Sequence, residues 1–471
     1  MCEAAISNPQ KGFVPGRQIT DLIRQMYLIQ DYVEELDEEG LIVLLDMEKA
    51  FDRCSWSFLK DSMEAIGVGP RMRRWVGMIY SEEAPPKRKL QINGQKGAPF
   101  ELSSGVAQGC PLSPLLFLFI GEPLTRAIQE DGEFEGIKTG DTEHRASQFA
   151  DDTAAYVKNW DQLPALIRII SSWEKATAMV ANRAKTAIIP IGKTRRQRTP
   201  RILLTTLGLP GISEERWEIY LGAPIASDKQ VYKDFLHEKY MKMKKKLAGW
   251  KGLSTLTQTG RAMIANSMIY SMLRYWTQFL IIPEKIMEAL DSDAQALVWN
   301  KSVVFTEGEL GTEKVNRRFM RQGSEHNPKQ HLGLSLLSWA DHVKAIQAKA
   351  WLNYMDGSRG AWKEVLDQWV LKRYATHGRG AILLKDPEKK KKMKVGNASL
   401  PPFWAKALDT LETLPLQLVN PTLMDKWQWR AEPVWYSHNF TIPKERSRLK
   451  KLWEDTLELT KVGDMILGDH L

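Results

Sequence analysis

The sequence is poor in cysteine: three in 471 residues, Cys2, Cys54 and Cys110, far apart and with no CxxC pair. That excludes a disulfide framework and leaves no zinc knuckle to read, so a reducing compartment is the natural setting and zinc is not expected. Long apolar runs are also missing. The longest, LLFLFIG at 115–121, falls far short of a membrane span. The opening MCEAAISNPQKGF has no basic stretch ahead of an apolar core, so no secretory leader is read in it. No internal repeat is visible. These absences predict an intracellular protein of the cytoplasm or nucleus without a membrane partner.

What the chain does have is basic charge and tryptophan. Lys and Arg total 66 against 57 Asp and Glu, a formal charge of +9. Such an excess suits a polyanion such as nucleic acid, although a solvated basic face has the same composition. The 17 tryptophans point to core and stacking positions. The length exceeds one ordinary core and predicts about two to four domains.

The run LIVLLD at 41–46 reads as a short buried strand that delivers Asp46 to a sheet edge. Residues 18–37 before it read as a helix, as does SWSFLKDSMEAIGVG after it, stopping at Gly67 and Gly69. Asn93-Gly94, within alternating residues 88–102, signals a hairpin. A loop punctuated by Gly and Pro, SSGVAQGCPLSP, leads into an apolar helix of about four turns. SQFADDTAAYVK reads as strand, tight turn, strand, and 162–181 as an amphipathic helix. From 230 to about 300 the pattern is helical and basic, and the remainder is Trp-rich, mostly helical and interrupted at 385–402.

Asp151-Asp152 at a tight turn, with Asp46 at the end of a buried strand, is the set that two-metal phosphoryl transfer requires. Two hard divalent cations about 4 Å apart are held by carboxylate oxygens; one activates a 3′-hydroxyl and the other neutralises pyrophosphate. An Asp-Asp pair in a turn is by itself usually just solvated. Asp46 changes the odds, because an unpaired charge ending an apolar strand is costly without cations. Glu48 and Asp52 read as a cap or salt bridge at the next helix.

These residues resemble a family. LLDMEKAFDR at 44–53 resembles motif A of the reverse transcriptases, GVAQGCPLSPLLF at 105–117 motif B, and FADDTA at 149–154 motif C. ANRAKTAII at 181–189 is similar to motif D, EIYLGAPI at 218–225 to the primer grip, and KGFVPGRQ at 11–18 to the segment preceding motif A in non-LTR (LINE-type) retrotransposon enzymes. GWKGLSTLTQTGRAMIANSMI and HLGLSLLSWADHVKAIQAKAW look like the thumb and connection of that family.

The resemblance implies an α+β fold: a right-hand polymerase palm, an antiparallel sheet with helices on one face, then a helical thumb and a mostly helical C-terminal region. Its domains would be a fingers remnant at 1–40, a palm with partial fingers at 41–225, a thumb at 226–300 and a truncated connection at 301–471. Asp46, Asp151 and Asp152 would bind two Mg²⁺ ions, with Mn²⁺ possible, and the carbonyl of Met47 would complete one shell. Phe51 would exclude a 2′-hydroxyl, Gln108 and Gly109 would lie by the incoming dNTP, and Lys185 would protonate or neutralise pyrophosphate. Tyr220, Leu221 and Gly222 would seat the primer. Arg17, Lys244, Lys245 and Lys246 with Trp250, and Arg261 at a helix start would touch the RNA template or DNA primer.

The lysine run at 389–394 resembles a nuclear localisation patch or a loop tail. Only eleven residues precede GFVPGR, and the sequence shows no endonuclease before the polymerase motifs and neither a zinc knuckle nor an RNase H domain after them. The resemblance therefore predicts a fragment of a polyprotein. Two classes stay open: an RNA-directed DNA polymerase, and a catalytically inactive remnant that binds nucleic acid. A viral RNA polymerase is disfavoured, since that family places Gly before its Asp pair where Ala150 stands here.

Overall fold

Five consecutive apolar residues from Leu41 to Leu45 put an apolar side chain on both faces of a strand, because successive side chains alternate. The computed structural model describes residues 5–209, 217–248, 256–299, 306–311, 334–355, 360–374 and 399–413. It divides into two compact units between Asp228 and Lys229.

The first unit runs α1 (Ile19–Glu35), β1 (Glu39–Leu45), α2 (Trp56–Ala65), α3 (Pro70–Ile79), β2 (Lys87–Ile92), β3 (Gln95–Glu101) and α4 (Ser113–Glu130). There follow β4 (Ile137–Thr139), β5 (Thr142–His144), β6 (Ala146–Phe149), β7 (Asp152–Val157), α5 (Leu163–Thr177), β8 (Ala187–Gly192), α6 (Arg201–Thr206), β9 (Trp217–Tyr220) and β10 (Ala223–Ala226). Strands β6-β7-β1-β8 form one antiparallel sheet. Leu41, Val43, Leu45, Ala155, Val157 and Ile188 pack on one side with residues of α2, α4 and α5.

The expectation of helices on one face is corrected here. Ile42, Tyr156, Ile189 and Ile191 on the other face are equally buried, and α1 runs over β8, β4 and β6. A strand apolar on both faces needs two covers.

Pro123 inside α4 explains a packing contact. Proline has no N–H, so the carbonyl four residues earlier, on Phe119, loses its helical donor. The buried Ser62 hydroxyl of α2 donates to that oxygen instead. Trp173 of α5 donates to the neighbouring Ile120 carbonyl at 3.3 Å. Adjacent carbonyls of α4 thus anchor one helix each.

Other boundaries moved for local reasons. Gly67 ends α2 at φ 87°, but Gly69 is the N-cap of α3, a helix opened by Pro70 that the sequence reading passed over. Helix α5 stops at Ala178, which takes φ 59°, short of the expected 181. The Asn93-Gly94 hairpin forms as read, with both turn residues at positive φ.

The second unit is helical among its described residues: α7 (Gln230–Ala248), α8 (Gln258–Ile264), a π turn at Ala265–Ile269, α9 (Tyr270–Arg274), α10 (Glu284–Val298), α11 (Trp339–Met355), α12 (Ala361–Tyr374) and α13 (Pro402–Thr413). Its tryptophans take the expected stacking roles. Trp339 stacks on Tyr270 at 5.5 Å, and Trp404 meets Trp351 at 5.2 Å and Trp362 at 5.5 Å. Trp75 of α3 in the first unit is the counterexample, 58% exposed. Among the described residues no helix is long and apolar enough to cross a membrane. Trp250 and the lysine run at 389–394 lie outside the described residues.

His144 is buried on β5 between Thr139, whose hydroxyl is 2.7 Å from Nε2, and Gln25, whose amide nitrogen is 3.3 Å from Nδ1. An amide NH₂ facing Nδ1 requires a lone pair there, so the ring is neutral with its proton on Nε2. Burial pushes its pKa from 6.5 down to about 4. The unfolded chain therefore takes up a proton first as pH falls. Stability contributed by His144 is complete above pH 6.5 and is lost toward pH 4, on the order of 3 kcal/mol. Urea midpoints measured across that window are expected to fall in the wild type and to stay much flatter in His144→Asn; parallel curves would refute the assignment.

Candidate active site

Antiparallel pairing runs from Leu41↔Val157 to Leu45↔Thr153. One further step along the same register sets Asp46 opposite Asp152. The β6–β7 turn places Asp151 beside them, following Ala150 at φ 57°. Three carboxylates from two chain segments thus meet at one sheet end, as the sequence predicted.

Each backbone segment is held independently. The amide of Asn182 donates to the Asp46 carbonyl at 2.8 Å, and that of Glu48 to Val180 at 2.9 Å. The Tyr220 hydroxyl donates to the Asp152 carbonyl at 3.2 Å, so the turn of the β9–β10 hairpin, Leu221 at φ 49° and Gly222 at φ 79°, lies next in the chain to a residue anchored on the acidic site. Beneath the turn, Thr125 donates to Gln148 at 2.5 Å, and Gln148 donates to Thr153 at 3.1 Å.

The electrostatics are unfavourable for an unaccompanied acidic cluster. Partial burial, then Asp151, then Asp46 push the Asp152 carboxyl from 3.8 up to about 6. Asp151 is raised by burial and by Asp46. The cation in reach is Lys185, whose Nζ lies 3.8 Å from Asp46 Oδ2. Clustered carboxylate oxygens fit a hard divalent cation. Among the described residues no group of three or more His, Cys, Asp or Glu closes into a metal site by itself. A Mg²⁺ ion does not need one, because it normally keeps waters and substrate phosphate oxygens among its ligands.

Phe51 is half-buried and stacks on Phe117 of α4, centroids 4.6 Å apart. The loop before α4 is tied to the same turn: Val106 donates to Phe51 at 2.8 Å, Gly105 to Cys54 at 2.8 Å, and Trp56 Nε1 to Gly105 at 2.8 Å. A Cβ on Gly105 would come within 2.6 Å of the Asp52 carbonyl. Exposed Gln108 and Gly109, at φ 83°, follow directly. Glu48 pairs with Arg53 at 3.3 Å, the ion-pair role expected of it.

Three basic residues do not reach toward nucleic acid. Lys244 is buried and donates to the carbonyls of Glu309 at 3.0 Å and Gly311 at 2.6 Å. It sits at helical spacing between buried Tyr240 and Leu247, a phase signal that the charge run concealed. Arg261 is buried and donates to the Val298 carbonyl at the end of α10. Its seven-residue helix is capped by Thr257 instead, which accepts from Gly260 at 3.2 Å. Arg17 donates to the carbonyls of Ser7 at 2.6 Å, Gln10 at 2.5 Å and Ile6 at 2.9 Å. Lys245 and Lys246 stay on the exposed side of α7.

With this geometry described, comparison shows what the chain resembles. Residues 1–216, nearly all of the first unit, match the family described as Reverse transcriptase (RNA-dependent DNA polymerase). More particularly, the relatives the chain resembles are proteins of transposon TX1 and of R2 retrotransposable elements. It is 26% identical over 281 residues to the transposon TX1 uncharacterized 149 kDa protein of Xenopus laevis, covering 58% of this chain and 20% of that protein. It is 28% identical over 188 residues to the Pol polyprotein of a type-1 R2 retrotransposable element from Nasonia vitripennis, covering 38% of this chain and 18% of the relative. A type-2 element, R2DM of Drosophila melanogaster, gives 28% over 158 residues, 34% of this chain and 14% of the relative. The chain thus spans a fifth or less of the length of these curated relatives.

The raised Asp152 carboxyl gives a measurable consequence. Its folded pKa of about 6 exceeds the ordinary 3.8, so the native state binds the proton more tightly and loses stability as pH rises through that window. Because Asp152 is partly open to water, the effect is about 1 kcal/mol after screening. Without divalent ions, Asp152→Asn should melt about 2–4 °C above the wild type at pH 7 and level with it at pH 4. A variant no more stable at pH 7 would show that the acidic repulsion is absent.

Proposed function

We propose that this chain acts as an RNA-directed DNA polymerase, joining deoxynucleotides from dNTPs to a primer 3′-hydroxyl on an RNA template. The observation that carries the proposal is the strand register that sets Asp46 opposite Asp152, with Asp151 alongside and Lys185 3.8 Å from Asp46. In this reading residues 1–40 are a remnant of the fingers, residues 41–225 a palm with partial fingers, residues 226–300 a thumb and residues 301–471 a connection. Asp46, Asp151 and Asp152, with the Met47 carbonyl, would hold two Mg²⁺ ions or their Mn²⁺ equivalents. When bound, such ions would supply Lewis-acid activation of the 3′-hydroxyl and charge neutralisation for the leaving pyrophosphate.

The chain's own groups supply position and selectivity. The Phe51 ring, braced by Phe117, blocks a 2′-hydroxyl by clash. Gln108 offers a side chain to the incoming nucleotide, and Gly109 lets the backbone approach closely. Lys185 holds a proton near the leaving phosphate. Tyr220, Leu221 and Gly222 seat the primer end, and exposed Lys245 and Lys246 track phosphates. Lys244, Arg17 and Arg261 are left out of this assignment because their charged groups are engaged by carbonyls.

Primer extension on an RNA template with dNTPs and Mg²⁺ tests the proposal. Asp151→Ala is expected to lower the rate at least about a thousandfold; product that does not depend on Mg²⁺ or Asp151 would overturn it. RNA binding without any extension would instead fit the catalytically inactive remnant. Phe51→Val should raise ribonucleotide use relative to deoxynucleotide at least about tenfold, and unchanged discrimination in an active enzyme would refute the gate. Replacing Lys245 and Lys246 by Ala should reduce the salt slope of RNA binding by about 1–2. An unaltered slope would remove them from the interface.

A further inference from the structure

Ala150 stands immediately before the acidic pair at φ 57°, a conformation that L side chains seldom adopt. Both of its backbone polar groups are gripped by one side chain. Gln10 is fully buried; its Oε1 accepts from the Ala150 amide at 2.9 Å and the Gly12 amide at 2.7 Å, and its Nε2 donates to the Ala150 carbonyl at 3.3 Å. The surrounding segment is zipped onto β6: Lys11 donates to Gln148 at 2.8 Å, and Gln148 donates to Pro9 at 3.0 Å. Gly12 lies so close that an added Cβ would be 2.5 Å from the Ala150 nitrogen. Arg17, through the Gln10 carbonyl, and buried Glu122, which accepts from the Ser7 amide at 3.0 Å, hold this segment from behind.

We infer that Gln10 is a positioning residue: its side-chain amide clips the strained Ala150 peptide groups and thereby fixes where Asp151 and Asp152 point. The assignment of the two aspartates rests on the polymerase reading above; the clip itself does not. A primary amide is suited to the task because it presents an acceptor and a donor on one rigid plane. Glutamate supplies the acceptor but turns a second oxygen toward the Ala150 carbonyl. Alanine leaves both peptide groups buried and without the clip, and the positive φ is no longer held against relaxation.

The test uses the full chain with Gln10→Ala, Gln10→Glu and, in the Gln10→Ala background, Ala150→Gly. Hydrogen exchange of the peptide containing Ala150, measured without metal, should speed up at least about tenfold in Gln10→Ala. The rise in melting temperature on adding Mn²⁺ alone should shrink in both Gln10 variants. In primer extension kcat should fall at least about tenfold while the KM for dNTP changes less than about threefold. Glycine at 150, which adopts positive φ freely, should restore part of that kcat.

Exchange unchanged at Ala150, or a lower melting temperature with a wild-type Mn²⁺ response and wild-type kcat, would make Gln10 merely structural and overturn the inference. If the wild type extends no primer, the polymerase reading fails. The exchange and Mn²⁺ measurements then still decide the role of Gln10.

Discussion

The arrangement depends on one register. A strand's side chains alternate with period two, so sliding β1 by one residue against β7 would exchange the two buried faces, setting Leu41, Val43 and Leu45 against the wrong cover, and carry Asp46 away from Asp152. Hydrophobic burial, which is non-directional, is thereby converted into a fixed distance between like charges. That conversion is needed because the carboxylates repel one another: Asp152 is driven up to about 6 by its burial and its neighbours. Their mutual repulsion opposes their meeting. The apolar faces on either side of the sheet bring them together.

Register alone fixes strands, not the turn at their end. There the structure relies on directional bonds from distant segments: Asn182 to the Asp46 carbonyl, Tyr220 to the Asp152 carbonyl, and Gln10 to Ala150. Each is a backbone contact and takes up no carboxylate oxygen. Buried polar side chains that are fully paired cost little and define one geometry, whereas half-paired ones are expensive. Gln10 and Gln148 belong to the first kind.

How much of this was legible follows from which forces act locally. The strand ending at Asp46, the Asp151-Asp152 turn and the Asn93-Gly94 hairpin are written in short patterns, because alternation and positive-φ residues act within a few positions. Helix α3 was missed because Gly69 has two readings, an end or a beginning, and only Pro70 after it tips the balance. The cover on the second face of the sheet followed from the unbroken apolar run and was not drawn from it. Lys244 and Arg261 misled because charge was weighed without helix phase; Lys244 shares a stripe with Tyr240 and Leu247. Gln10 left no signal, since nothing periodic or compositional distinguishes a glutamine that will meet a residue 140 positions away.

Helix α4 shows how the same logic links the motifs to one another. Its first turns carry Phe117, which fixes Phe51 beside the motif that holds Asp46. Its middle carries Pro123, whose missing N–H draws Ser62 of α2 onto the Phe119 carbonyl. Thr125, two residues further on, bonds Gln148 under the acidic turn, and Glu122 holds Ser7 in the segment that delivers Gln10. A helix of 18 residues is stiff over its whole length. Displacing one of these contacts therefore acts on the others, and substitutions on α4 far from any carboxylate would be felt at the acidic turn through geometry and not through charge.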